Sequence, residues 1–222
     1  LGVAAWLATL AAPTSAQQAS APGSSAQADP AQADSAQRAL ALGREGLELY
    51  TAQRWTECAA RFARAEALTH SPVFRLYLAR CHRGAGKLLA AREELRAVIA
   101  EPLGDAAPVP WRQAKTDATA ELALLERAIP SVRVVLEGST SAPERVRLGT
   151  AEVQAGTLVE LDPGRHEASA EGAGGAVARQ LFELGEGQKE SVVTLRFAEA
   201  SDAARGAAAA DRSAQPPTGA HE

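Results

Sequence analysis

Residues 35–101 run twice through one helical-hairpin pattern. In the first copy the pattern falls on Gly46, Leu49, Trp55, Cys58, Phe62, Ala65 and Leu68. In the second it falls on Ala79, His82, Leu88, Ala91, Leu95, Val98 and Glu101. Small residues stand where two helices must approach closely, and large ones stand where a gap must be filled. A period of about 33 residues predicts stacked helix–turn–helix units, each burying its apolar face against the next. Such stacks generally bind other proteins and rarely do chemistry. The repeat therefore points to a binding or scaffold role.

Composition sharpens that expectation. Hydrophobic residues make up 46% of the chain but aromatics only 4%, so alanine carries much of the core and helices must pack closely. The formal net charge of −4 provides no basic field for nucleic acid, and none is expected as a partner. Leu1 to Ala12 is an apolar run too short to span a bilayer. It is followed by Pro13 and the small residues Thr14-Ser15-Ala16. Residues 1–16 thus read as a signal peptide without its charged start. The predicted destination is extracytoplasmic, a periplasm in a Gram-negative cell, with no stable membrane insertion after cleavage. Residues 17–34 and 198–222 are polar or Ala-rich without period, and read as a flexible leader and tail.

Four helices are predicted over 35–101: about 35–52 with Asp34 or Ser35 as N-cap, 55–69, from Ser71-Pro72 to Arg83, and 87–101. Gly84-Ala85-Gly86 is expected to break the third. A fifth helix, about 110–128, carries Trp111, Ala114, Ala118, Leu122 and Leu125 on one face. It is expected to cover the open end of the last hairpin. At Ile129-Pro130 the period changes to two, and Val132, Val134 and Leu136 alternate with Arg133, Val135 and Glu137. Further strands are predicted at 144–148, 151–154, 157–161, 165–171, 177–184 and 191–197. Asp162-Pro163-Gly164 reads as a turn in which Gly takes a positive φ. The predicted class is α+β with two domains: about five helices in antiparallel hairpins over 35–128, then a small β-sandwich over 130–197.

The segment 35–101 resembles the tetratricopeptide repeat family. The small-residue sites are Gly46, Cys58, Ala65, Ala79 and Ala91. The bulky sites are Leu42, Leu49, Trp55, Phe62, Leu78, Leu88 and Leu95. Glu45 departs from the pattern at a leucine site, and Val98 departs at a small one. The segment 130–197 is similar to PEGA-type modules, small extracytoplasmic β-domains of bacterial envelope proteins. That likeness rests on Val159 to Gly172, the Gly185-Glu186-Gly187 turn and the strand Val192 to Phe197. The pairing resembles exported myxobacterial proteins. Together the resemblances imply a non-enzymatic envelope scaffold that binds a protein or peptide; the alternative is a wall- or glycan-associated module acting through its β-domain. In the repeat family the first helix of each hairpin lines the concave groove. By position that implies Arg44, Leu47, Thr51, Val73, Tyr77, Arg80 and Arg83 as peptide-binding residues. Three arginines and a tyrosine suit an acidic peptide or a C-terminal carboxylate.

Cys58 and Cys81 fall on neighbouring antiparallel helices, at heights differing by about 4.5 Å at the helical rise. A structural disulfide is one reading and two buried thiols another, while a catalytic cysteine has no base placed for it. His70 and His82 lie nearby, but tight ligand pairs are missing, and Cys81 and His82 diverge on one helix, so no metal is expected. His166 reads as a surface strand residue and His221 as solvated. No nucleophile elbow, phosphate loop or dinucleotide fingerprint is present, and no cofactor is expected. Glu93, Glu94, Glu144 and Glu183 are expected on solvated faces, giving no acid–base pair.

Overall fold

The structure, a computed structural model, describes residues 30–138, 145–172 and 176–197. The expectations for the signal peptide, the leader up to residue 29, Glu144 and the tail lie outside the described residues. The chain is α+β with two domains. Helices α1 (Pro30–Thr51), α2 (Trp55–Leu68), α3 (Pro72–Gly84), α4 (Leu88–Ala100) and α5 (Val109–Ala128) come first. Strands β1 (Ser131–Glu137), β2 (Arg145–Leu148), β3 (Ala151–Val153), β4 (Leu158–Glu160), β5 (Gly164–Glu171), β6 (Val177–Leu184) and β7 (Ser191–Arg196) follow.

The first helix starts at Pro30, not at an Asp34 or Ser35 cap, so residues 30–34 belong to α1 rather than to the leader. Proline suits a first helical turn, where its missing N–H is no loss, and the alanines that follow favour helix. Asp34 instead pairs with Arg38 one turn on, and the Ser35 hydroxyl donates to the Gln32 carbonyl at 2.9 Å. Ser71 does occupy the N-cap of α3 with Pro72 behind it, but its side chain makes no cap bond. Its backbone N–H donates to Glu66 Oε2 at 2.8 Å.

Burial repeats with the sequence. Gly46, Cys58, Phe62 and Ala65 are buried, and so are their counterparts one repeat on, Ala79, Ala91, Leu95 and Val98. The small residues are there for contact. A Cβ on Gly46 would stand 2.7 Å from the Phe62 ring, and one on Gly84 would stand 2.4 Å from the Trp55 indole. Helix α3 ends at Gly84, as expected of the Gly84-Ala85-Gly86 segment, and Gly84 is a packing site as well. The chain turns away at Gly86, with φ +73°. Helix α5 buries Ala114, Ala118 and Leu125 against Leu76, Ala79, Leu88, Ala91, Leu95 and Val98, covering the second hairpin. Trp111 stays half-buried outside that cluster, its ring edge-on to His70 at 6.0 Å.

The strands form two sheets, β4-β1-β7 and β3-β2-β5-β6. All pairings are antiparallel except β1 with β7, so the first and last strands run side by side in one direction. Between the sheets lie Val132, Val134, Val146, Leu148, Ala168, Ala170, Leu184, Val193 and Leu195. Phe197 closes that core and sits against Gly172.

The two domains hold each other by helix ends. Helix α4 has no cap of its own. Asp162, in the β4–β5 turn, accepts the Leu89 N–H at 2.8 Å through Oδ1. A carboxylate there also meets the positive end of the helix dipole. At the other end of the junction the Lys189 ammonium donates to the Glu126 carbonyl at 3.0 Å and to that of Ile129, the favoured charge for the C-terminus of α5. Arg92 reaches across to Glu160, and the Gly187 N–H donates to the Ala128 carbonyl at 2.6 Å. Asp162→Ala is expected to cost about 1 kcal/mol, the usual worth of a capping side chain. In chemical denaturation the loss should appear in one transition for both domains. An unchanged midpoint would show that Asp162 does not cap α4.

Candidate functional site

Helix α1 meets α3 through side chains, Gly43 against Phe74 and Tyr50 edge-on to Tyr77, α3 also packs on α5, and two clefts open along these helices. The first lies between α1 and α3. Leu40, Arg44, Leu47, Val73, Phe74 and Tyr77 line it, over a volume of about 140 Å³. Gly43 lets the helices close, since a Cβ there would stand 2.8 Å from Phe74. Phe62 forms the floor, stacked on Tyr77 at 5.2 Å and tilted against Phe74 at 6.4 Å. Leu40 and Leu47 are 55% and 41% exposed, an apolar rim left in water. Arg44 is the one charged residue of the lining and has no ion pair among the described residues.

The second cleft has a volume of about 560 Å³. Tyr50 and Trp55, edge to face at 5.5 Å, make one wall. Arg80, Arg83 and Glu121 line it too, and Glu186 comes from the β6–β7 turn.

The seven residues expected on one groove thus divide. Arg44, Leu47, Val73 and Tyr77 line the apolar cleft, while Arg80 and Arg83 line the mixed one. Thr51 is exposed at the end of α1, with its hydroxyl donating to the Leu47 carbonyl at 3.0 Å. Arg80 is no free cation. It lies 4.9 Å over the Tyr77 ring and pairs with Glu121 at 2.6 Å and Asp117 at 3.1 Å, both on α5. Of the three arginines expected to meet a carboxylate, Arg80 is therefore already paired, while Arg44 and Arg83 have no ion pair among the described residues. Leu40, Phe74, Tyr50 and Trp55 join the site unforeseen. Leu40 could have been found, since it stands one repeat before Val73; Glu186 carries no such signal.

Cys58 of α2 and Cys81 of α3 are joined as a disulfide, with Cα atoms 5.8 Å apart and both residues fully buried. The bond ties the first hairpin to the second. It also removes both sulfurs as metal ligands, and no group of three or more His, Cys, Asp or Glu is placed to hold a metal ion among the described residues.

No protein-family model matches this chain, and no curated protein matches it.

Three titratable groups stand out. His70 bridges Glu66 at 2.5 Å and Glu101 at 2.9 Å, and these bonds raise its pKa above the ordinary 6.5 against modest burial. His82, at the apolar site that Leu49 fills in the first repeat, is half-buried with Nδ1 unpartnered among the described residues. Burial, then Lys87, lowers its pKa, and Asp162 opposes that shift. Glu94, expected in solvent, is also half-buried, and burial raises its pKa against the pull of Arg75. His166 is likewise half-buried. Its Nε2 donates to the Asp162 carbonyl at 2.7 Å, and its ring lies 5.6 Å from Phe182.

The two histidines His70 and His82 place opposite slopes on stability. The raised pKa of His70 gives stabilisation that is full below pH 6.5 and lost as pH rises through the folded value. The lowered pKa of His82 gives stabilisation that is full above pH 6.5 and lost as pH falls. Their joint contribution is therefore expected to be greatest near pH 6.5. Denaturation midpoints across pH should decline less steeply on the alkaline side in His70→Ala and less steeply on the acid side in His82→Leu than in the unaltered chain. Parallel profiles in all three proteins would overturn the assignment.

Proposed function

We propose that the chain is a non-enzymatic, exported interaction scaffold of the cell envelope, taking a peptide or protein segment at the α1–α3 cleft. The observation that carries this reading is the exposed apolar rim of Leu40 and Leu47 beside the unpaired Arg44. An apolar side chain with a nearby carboxylate matches that lining, because a guanidinium pairs a carboxylate in two-point geometry. Resemblance to tetratricopeptide repeats supports the choice of face, and resemblance to PEGA-type modules supports the envelope. A buried disulfide suits an oxidising compartment. No helix among the described residues is long and apolar enough to cross a membrane.

The glycan-binding alternative needs an exposed aromatic platform on the β-domain. Phe182 is half-buried against His166 and Phe197 is buried, so the described residues favour the helical cleft. A peptide selected from a displayed library on the full chain should bind at least tenfold more weakly to Leu47→Glu, since a carboxylate then lines the apolar rim. Equal affinity for both proteins would remove the cleft from the function.

A further inference from the structure

We infer that the second cleft is a separate binding site for a small dipolar ion on an apolar stem, of the free-amino-acid or dipeptide class. Its volume of about 560 Å³ lies within the range of small-molecule sites, and it sits at a domain junction, where such sites concentrate.

The charges select the ligand. Arg80 is spent on Asp117 and Glu121. Arg83, on α3, and Glu186, on the β6–β7 turn, have no ion-pair or hydrogen-bond partner for their side chains among the described residues. One free positive and one free negative charge thus enter the same cleft from different domains. A purely anionic ligand would meet Glu121 and Glu186, and a purely cationic one would meet Arg80 and Arg83. A molecule with a carboxylate for Arg83 and an ammonium for Glu186 matches both. Both side chains are exposed, so screening confines their pull to direct contact, and the match must be made at hydrogen-bond range. Tyr50 and Trp55 offer the apolar wall for the stem.

The site is set before the ligand arrives. Trp55 is packed onto Gly84, where a Cβ would stand 2.4 Å away. The turn that bears Glu186 is held by the Gly187 N–H on the Ala128 carbonyl at 2.6 Å and by Gly185 N–H on Gln188 Oε1 at 3.0 Å. The ordering left to oppose binding is that of the Arg83 and Glu186 side chains.

Isothermal titration calorimetry of the full chain with the dipeptide Ala-Leu, its N-acetyl form and its C-terminal amide tests the site. Ala-Leu should bind, and each blocked form should bind severalfold more weakly, the worth of one charge contact at an exposed site. Arg83→Gln should reproduce the loss seen with the amide and lose nothing further with it. Glu186→Gln should do the same with the acetylated form. Both positions are exposed, so neither variant threatens folding. The part of Ala-Leu binding that depends on Arg83 and Glu186 should persist in Leu47→Glu, which separates this site from the peptide cleft. No heat from Ala-Leu at millimolar concentration, or blocked forms binding as well as the parent, would overturn the inference.

Discussion

Phe62→Ala is expected to destabilise the chain by about 3–5 kcal/mol, the cost of emptying a large aromatic site in a packed core. Phe62 is 1% exposed and fills the space left by Gly46 on α1, stacked on Tyr77. The same ring floors the apolar cleft, so peptide affinity should fall with stability. A second variant shows that the packing is responsible. Gly46→Ala would normally favour a helix by about 1 kcal/mol. Here the added methyl would stand 2.7 Å from a buried ring, and overpacking at about 1–3 kcal/mol outweighs the gain. In the Phe62→Ala background the obstacle is gone, so Gly46→Ala should become neutral or stabilising. Urea midpoints of the two singles and the double give this coupling directly. Additive effects would mean that α1 and α2 do not interlock through this pair.

Replacing Cys58 and Cys81 together by alanine is expected to cost about 3 kcal/mol, because the bond closes a loop of 23 residues in the unfolded chain. At Cys58 the core itself should barely notice. Cys58 occupies the site that Ala91 fills one repeat later, so alanine is already a native filler at that place. Both residues are wholly buried, so a reductant should attack only as fast as the hairpins open. Titration of the unfolded, unreduced protein should find no free thiol. Two free thiols would contradict the bond, and the double variant should then change stability little.

Much of this architecture was legible because the repeat constrains it twice. A residue such as Leu95 is predicted by its own helical face and again by Phe62 one period before it. The period-two run from Val132 and the turn at Asp162-Pro163-Gly164 announced the β-domain for a similar reason: alternation and a required positive φ, here +124° at Gly164, are local properties. What could not be read is non-local. The carboxylates of Asp117 and Glu121 reach Arg80 from a helix two elements further along the chain, and they turn an expected peptide-binding cation into a tie between α3 and α5. Asp162 as the cap of α4 spans 73 residues. Glu186 enters the second cleft from the other domain. Burial of Glu94 and His82 likewise depends on partners that no spacing announces. The start of α1 was misplaced for the opposite reason: Asp34 and Ser35 are good local caps, and Pro30 with the alanines after it proved the stronger start.

The most direct test of the proposed role is site-specific photocrosslinking in the producing cells. A photoreactive residue would be placed at Leu47 of the full chain, with the same residue at Leu181 on the outer face of the β-domain for comparison; Leu181 is 78% exposed. The account predicts that Leu47 captures a discrete protein segment bearing an apolar side chain. That capture should be lost on Val73→Glu, and Leu181 should not yield the same product. Capture of protein or wall material at Leu181, with nothing at Leu47, would contradict it and move the function to the β-domain.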